Sequence, residues 1–208
     1  GVASGCIYGL VALGFVLIYK ATETINFAQG DILMLGAFVA FSLIGVLGMN
    51  YIVGFALTVI IIAAFGFLLD ATVIRQIIGQ PPFATVMLTI GLGFIFRGFA
   101  SIFWGTDIYS FSTPFSGKIL QTGGLVISYV NISIIVGTAL LMIILYSFFS
   151  FSKIGVAMRA SSENQLAAYY VGIPVKFIFS LIWSISAGVA AVAGVLLAPV
   201  TLVDTSIS

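Results

Sequence analysis

Five stretches of this sequence contain no charged side chain: Gly1 to Tyr19, Ile32 to Leu69, Gln76 to Phe96, Ile119 to Ser152 and Phe177 to Val203. Each is long enough to cross a bilayer core, which takes about 20 apolar residues as helix. The second run holds 38 residues, about 57 Å as continuous helix and nearly twice the core thickness. It has to fold back, and Gly48, Met49 and Asn50 mark the turn. The runs resolve into about six spans, near 2 to 19, 32 to 48, 51 to 69, 84 to 104, 131 to 150 and 178 to 198. The expected fold is all-α, a polytopic transmembrane helix bundle forming one domain over residues 1 to 208.

Composition agrees with this reading. Of 208 residues 62% are hydrophobic and 6% charged, whereas a soluble chain carries about 25% charged residues. Thirteen ionised groups cannot coat a water-facing surface. A formal net charge of +1 gives no reason to expect nucleic acid, and the single Cys6 forms no internal disulfide. The first span has neither a basic n-region nor a cleavage pattern, which argues against a removed signal peptide.

Alternating the spans places Lys20, Arg75, Lys153, Arg159 and Lys176 on one side and Lys118 on the other, with Arg97 inside a span. By the positive-inside rule the five-charge side is cytoplasmic, so the chain's start and Ser208 face outward. The outer segment from Gly105 to Val130, with Tyr109, Phe111 and Phe115 interleaved, reads as an irregular interfacial cap. Helix packing in lipid relies on small residues. Gly5 with Gly9, Gly36 with Ala40, and the run Ser184, Ala187, Gly188, Ala190, Ala191, Gly194 and Ala198 supply them.

The most polar stretch is the cytoplasmic loop 152–177. Ser162 followed by Gln165 fits a capping box, and Gly172 with Pro174 fits a helix stop. A short helix from Glu163 to Val171 is expected, with Leu166, Tyr170 and Ile173 as its apolar stripe. Such a stripe lies on the membrane or docks into another protein.

Two segments carry a resemblance. NFAQGD, from Asn26 to Asp31 (Asn26, Phe27, Ala28, Gln29, Gly30, Asp31), matches the NFA-x-GD segment of the permease subunits of branched-chain amino-acid ABC importers. The loop containing Ala167, Ala168 and Gly172 is similar to the EAA-like motif of ABC importers. This chain departs at Leu166, where the motif often has Glu, with Glu163 one turn earlier as a substitute, and at Gln29, where His is common. Gln donates and accepts hydrogen bonds but does not titrate near neutral pH, so proton coupling there is not expected. The family's chains usually continue past the equivalent of Ser208, so the resemblance implies a fragment, lacking a little at its start and more at its end.

The resemblance implies a multi-pass subunit of a bacterial or archaeal cell (inner) membrane that forms a translocation pathway for branched-chain or related hydrophobic amino acids. Its implied partners are a second permease subunit, two cytoplasmic ATPase subunits and an external solute-binding protein. It binds no cofactor itself, ATP and Mg belonging to the ATPases. Arg159, Glu163, Leu166, Ala167, Ala168 and Gly172 are the implied ATPase-coupling residues. Asn26, Phe27, Gln29, Gly30, Asp31 and Arg97 are candidates for the substrate pathway or gate. Plainer roles compete: Asp31 as the cap of a helix opening at Ile32, Arg97 snorkelling toward Trp104, Arg159 and Lys153 as anchors, and Thr85 and Thr89 bonded to the preceding turn. Permeases for urea or short amides and ion-coupled secondary transporters are the alternatives. Zero His, one Cys and no paired carboxylates in a span speak against an enzyme. Against a secondary carrier stands the reading that all six acids lie in or beside loops.

Overall fold

The computed structural model describes residues 1–77, 79–109, 113–122 and 125–200. Phe111 and Ser208 lie outside the described residues. Six helices long and apolar enough to cross a membrane are present among those described: α1 (Val2–Thr22), α2 (Gln29–Ala40) prolonged by a π-helical stretch (Phe41–Val46), α3 (Tyr51–Thr72), α4 (Pro82–Trp104), α5 (Tyr129–Phe151) and α8 (Val175–Leu197). Between α5 and α8 lie two short helices, α6 (Lys153–Glu163) and α7 (Gln165–Tyr170).

Helix α8 is the centre of the bundle. In its most apolar window 78% of residues are buried, against 6% in α5. Small residues account for the difference, because they let neighbouring backbones approach. Gly36 of α2 lies against Ala191, where an added Cβ would stand 2.8 Å from the Ala191 Cα. Gly194 faces the Leu33 carbonyl, and Gly66 of α3 faces Ala187 and the Trp183 carbonyl. Helix α5 instead presents Val136, Leu140, Ile143 and Tyr146 outward and buries Ile134. The expected Gly5–Gly9 pair does not pack inside the chain: neither glycine has a neighbour within 4 Å of where a Cβ would stand.

The ends of the bundle follow the charges. Arg75 Nη2 donates to the Lys176 carbonyl at 3.3 Å, and Lys20 and Arg159 line one cavity, so the basic residues gather at one end. At the other, Trp104 Nε1 donates to Ser42 Oγ at 2.6 Å and Phe38 stacks on Trp104. The outer cap is more regular than expected. Strands β1 (Ile119–Thr122) and β2 (Leu125–Ser128) form an antiparallel hairpin pairing Ile119 with Ser128, and the Tyr129 N–H donates to the Lys118 carbonyl at its foot.

The loop 152–177 differs from the expected single helix. Ser162 is no cap; its Oγ donates to the Met158 carbonyl inside α6, and Glu163 ends that helix. Asn164 caps the next one, its Oδ1 accepting from the Ala167 N–H at 2.9 Å. Asn is as strong an N-cap as Ser, and its position two residues later moves the start of α7. The stop is as expected. Gly172, at φ +88°, donates to Tyr169, and Ile173 donates to Ala168, the paired bonds of a Schellman ending.

Candidate functional site: a half-helix at membrane mid-depth

Helix α1 ends at Thr22 on the basic side, yet α2 does not start there. Its first residue, Gln29, is fully buried, and Gln29 Nε2 donates to the carbonyl of Ser186, the central residue of α8. Ser186 Oγ lies 2.9 Å from the Gly14 carbonyl of α1 and 3.2 Å from Gln29 Oε1, its one proton serving either. Gly14 is required here, because a Cβ would occupy the place of the Gln29 amide. Residues 23–28 therefore climb back into the membrane. From Thr22 to the level of Gly14 is about 12 Å of helix, which six extended residues span easily.

Bare backbone at this depth must find partners within the protein. Asn26 Oδ1 accepts from the Ala28 N–H at 3.0 Å, Asn26 Nδ2 donates to Gln29 Oε1 at 3.3 Å, and the Phe27 N–H donates to Thr89 Oγ1 at 3.3 Å. Thr89 bonds the Val86 carbonyl in turn, so it has both the expected local bond and a second task. Asn26 and Gln29 are thus both buried and committed to joining α1, α2 and α8. Phe27 is half exposed, and Gly30 lies in the first turn of α2.

Asp31 is not the cap of a helix opening at Ile32, since α2 already begins at Gln29. It sits in the first turn, where the helix dipole favours a carboxylate, and its Oδ1 accepts from Arg97 Nε at 2.6 Å. The Asp31 carboxylate fits against Gly93, the central residue of α4, where a Cβ would collide with Oδ2. Arg97 lies one turn farther out, about 10 Å below Trp104 along the helix. Its head therefore reaches inward to Asp31 and does not snorkel to the outer interface. An acid at membrane mid-depth corrects the expectation that all six acids lie in or beside loops, and removes that argument against a secondary carrier.

The Asp31 side chain is 5% exposed and that of Arg97 47%. They border a cavity of about 190 Å³ with Phe27, Ile90, Gly93 and Phe94. A half-exposed guanidinium at this depth is costly against lipid, so the face is built for protein or water. Arg97 was the sequence signal for this site; its partner was hidden because Asp31 follows a polar motif that reads as a loop.

At the basic end of the bundle, α7 exposes Leu166, Tyr169 and Tyr170, and its capping residue Val171 is exposed as well. Ala168 is buried, Ala167 is exposed, and Gly172 closes the helix. Ile173, expected on the outer stripe, instead packs inward with Met158, Ile178 and Phe179. Arg159 and Glu163 are exposed with no ion-pair partner among the described residues. Gln165 Nε2 donates to the Ala21 carbonyl at 3.3 Å, tying α7 to the last turn of α1 just before the re-entrant segment. A second polar network missed by sequence reading lies nearby. Asp70 accepts from Ser180 Oγ at 2.7 Å, and Arg75 Nη2 donates to the same hydroxyl at 2.7 Å. Asp70 borders a cavity of about 240 Å³ that also touches Glu23, Thr85 and Gln165.

Residues 1–207 match the family described as the permease component of the branched-chain amino acid transport system. The high-affinity branched-chain amino acid transport system permease protein BraD of Pseudomonas aeruginosa is 30% identical, over 95% of this chain and 68% of the relative. LivH of Escherichia coli is 29% identical with the same coverage. A probable LivH of Methanocaldococcus jannaschii is 29% identical over 90% of this chain and 61% of its own. No solved structure matches the chain at a significant level. With six helices able to span a membrane and a family match over nearly its whole length, the chain is a multi-pass membrane protein belonging to the permease components of branched-chain amino-acid transport systems.

Proposed function

We propose that this chain lines the translocation pathway of an ATP-driven importer of branched-chain amino acids, as one of two permease subunits served by two cytoplasmic ATPases and an external binding protein. The observation that carries the pathway assignment is the start of α2 at mid-depth beside the Asp31–Arg97 pair. Transporters place the N-termini of broken helices at the bilayer midplane, where free N–H groups and the positive dipole end meet anionic substrate groups.

Energy conversion, with ATP and Mg, is assigned to the ATPase subunits. The exposed apolar surface of α7 is the docking element. Leu166, Tyr169 and Tyr170 enter a groove on an ATPase, while Arg159 and Glu163 form charged contacts at its edge. When the ATPases close, α7 moves, and the Gln165–Ala21 bond passes the displacement to the end of α1 and the segment that carries Asn26 and Asp31. The test is uptake of labelled leucine into vesicles holding the complete transporter. Uptake requiring ATP and surviving collapse of the ion gradients supports the assignment; uptake following an ion gradient without ATP contradicts it.

A further inference from the structure

Arg97 uses one of its five N–H donors on Asp31. Among the described residues its two terminal nitrogens have no hydrogen-bond partner, and its recorded contact is Nε to Asp31 Oδ1. Asp31 likewise has one oxygen engaged, while Oδ2 rests against Gly93. The cavity at this pair places both charges beside three apolar side chains, Phe27, Ile90 and Phe94.

Resting on the importer reading above, we propose that the Asp31–Arg97 pair is the mid-membrane recognition site for the zwitterionic head of an α-amino acid. The terminal nitrogens of Arg97 bind the substrate carboxylate as a fork, a geometry lysine does not reproduce. Asp31 Oδ2 receives the α-ammonium. Phe27, Ile90 and Phe94 border the apolar side chain. Nε is held by Asp31, which lies deeper than Arg97, so the fork is fixed at mid-depth and away from the lipid headgroups. A small neutral amide would bring neither an anion for the fork nor an apolar body for the wall.

The test uses the assembled transporter, with its ATPases and binding protein, in proteoliposomes. ATP-driven leucine uptake by the wild type checks the importer reading first, so failure at that level is distinct from failure of the site. The double variant D31N/R97Q removes both charges without leaving either one alone, and R97K keeps the charge while losing the fork. Both are expected to assemble, with leucine uptake reduced about tenfold or more, the loss of one charge-assisted hydrogen bond or two. Wild-type uptake in either assembled variant would overturn the proposal. Failure of both to assemble would assign the pair to folding and overturn it equally.

Discussion

Two aspartates of this chain are almost equally buried and each has an arginine, but the two pairs differ. Asp31 meets Arg97 at 2.6 Å, while Asp70 and Arg75 stand 3.9 Å apart. Asp70 has another donor, since Ser180 Oγ sits between acid and base and bonds both. Arg75 adds a bond to the Lys176 carbonyl, at the end of the bundle where water reaches. Asp31 has one ionic partner at the middle of the membrane. The inner pair is thus a shared network in which Asp70 keeps a donor if its arginine is lost; the central pair depends on a single contact, without which the buried Asp31 carboxylate stands unpaired, and an unpaired buried charge is expensive.

The largest effect should follow from removing one member of the central pair. Arg97→Met leaves Asp31 buried alone and is expected to cost about 3–5 kcal/mol of folding stability. Removing both charges in D31N/R97Q should recover most of that. A double-mutant cycle on the detergent-solubilised permease, followed by denaturant titration, measures the coupling; additive losses would show that the pair does not interact.

Next in size is Gly93→Ala. Its methyl group collides with the Asp31 carboxylate, and overpacking of this kind costs about 1–3 kcal/mol. Gly91 and Gly98 on the same helix have open space at the Cβ position, so alanine there is expected to be neutral or slightly stabilising. Equal stability of the three variants would contradict the placement of Asp31.

At the inner pair the order of importance should invert. Ser180→Ala strips Asp70 of its close donor and is expected to cost about 1–3 kcal/mol. Arg75→Met, removing a partly exposed and distant ion partner, should cost about 1 kcal/mol or less. A larger loss from Arg75 than from Ser180 would make the two pairs alike and undo the comparison.

The smallest effect on stability belongs to charges in water. Exchanging Arg159 and Glu163, in R159E/E163R, is expected to leave folding within about 0.5 kcal/mol of the wild type. The same exchange should lower uptake per ATP hydrolysed, since these residues are assigned to the ATPase contact. Unchanged coupling would count against that assignment.

Much of the fold was legible in the sequence, because charge-free runs of membrane length leave a chain few options. All six spans lie within a few residues of where the runs place them. The depth at which α2 starts is what the runs do not reveal. An acid at Asp31 reads as the edge of a loop, and no local signal says that the loop has turned back into the membrane. Only the tertiary partners Gly14, Thr89, Ser186 and Arg97, all distant in sequence, fix the depth of this segment. Local competition explains the second difference, where Asn164 displaced Ser162 as a helix cap. The hairpin at β1 and β2 had a signal in Gly123 and Gly124 between two β-favouring runs, although those two glycines lie outside the described residues.

The central claim is that the face carrying Phe27 and Arg97 borders a water-filled route through the membrane. Cysteine accessibility in the assembled transporter tests it most directly, because Cys6 is the only cysteine of the chain and can be replaced by serine. A membrane-impermeant thiol reagent should label Phe27→Cys, with loaded binding protein and ATP altering the rate. Ile143→Cys, on the outward face of α5, should remain unlabelled. Labelling of Phe27→Cys no faster than that of Ile143→Cys would place this face against lipid or in a dry interface and contradict the account.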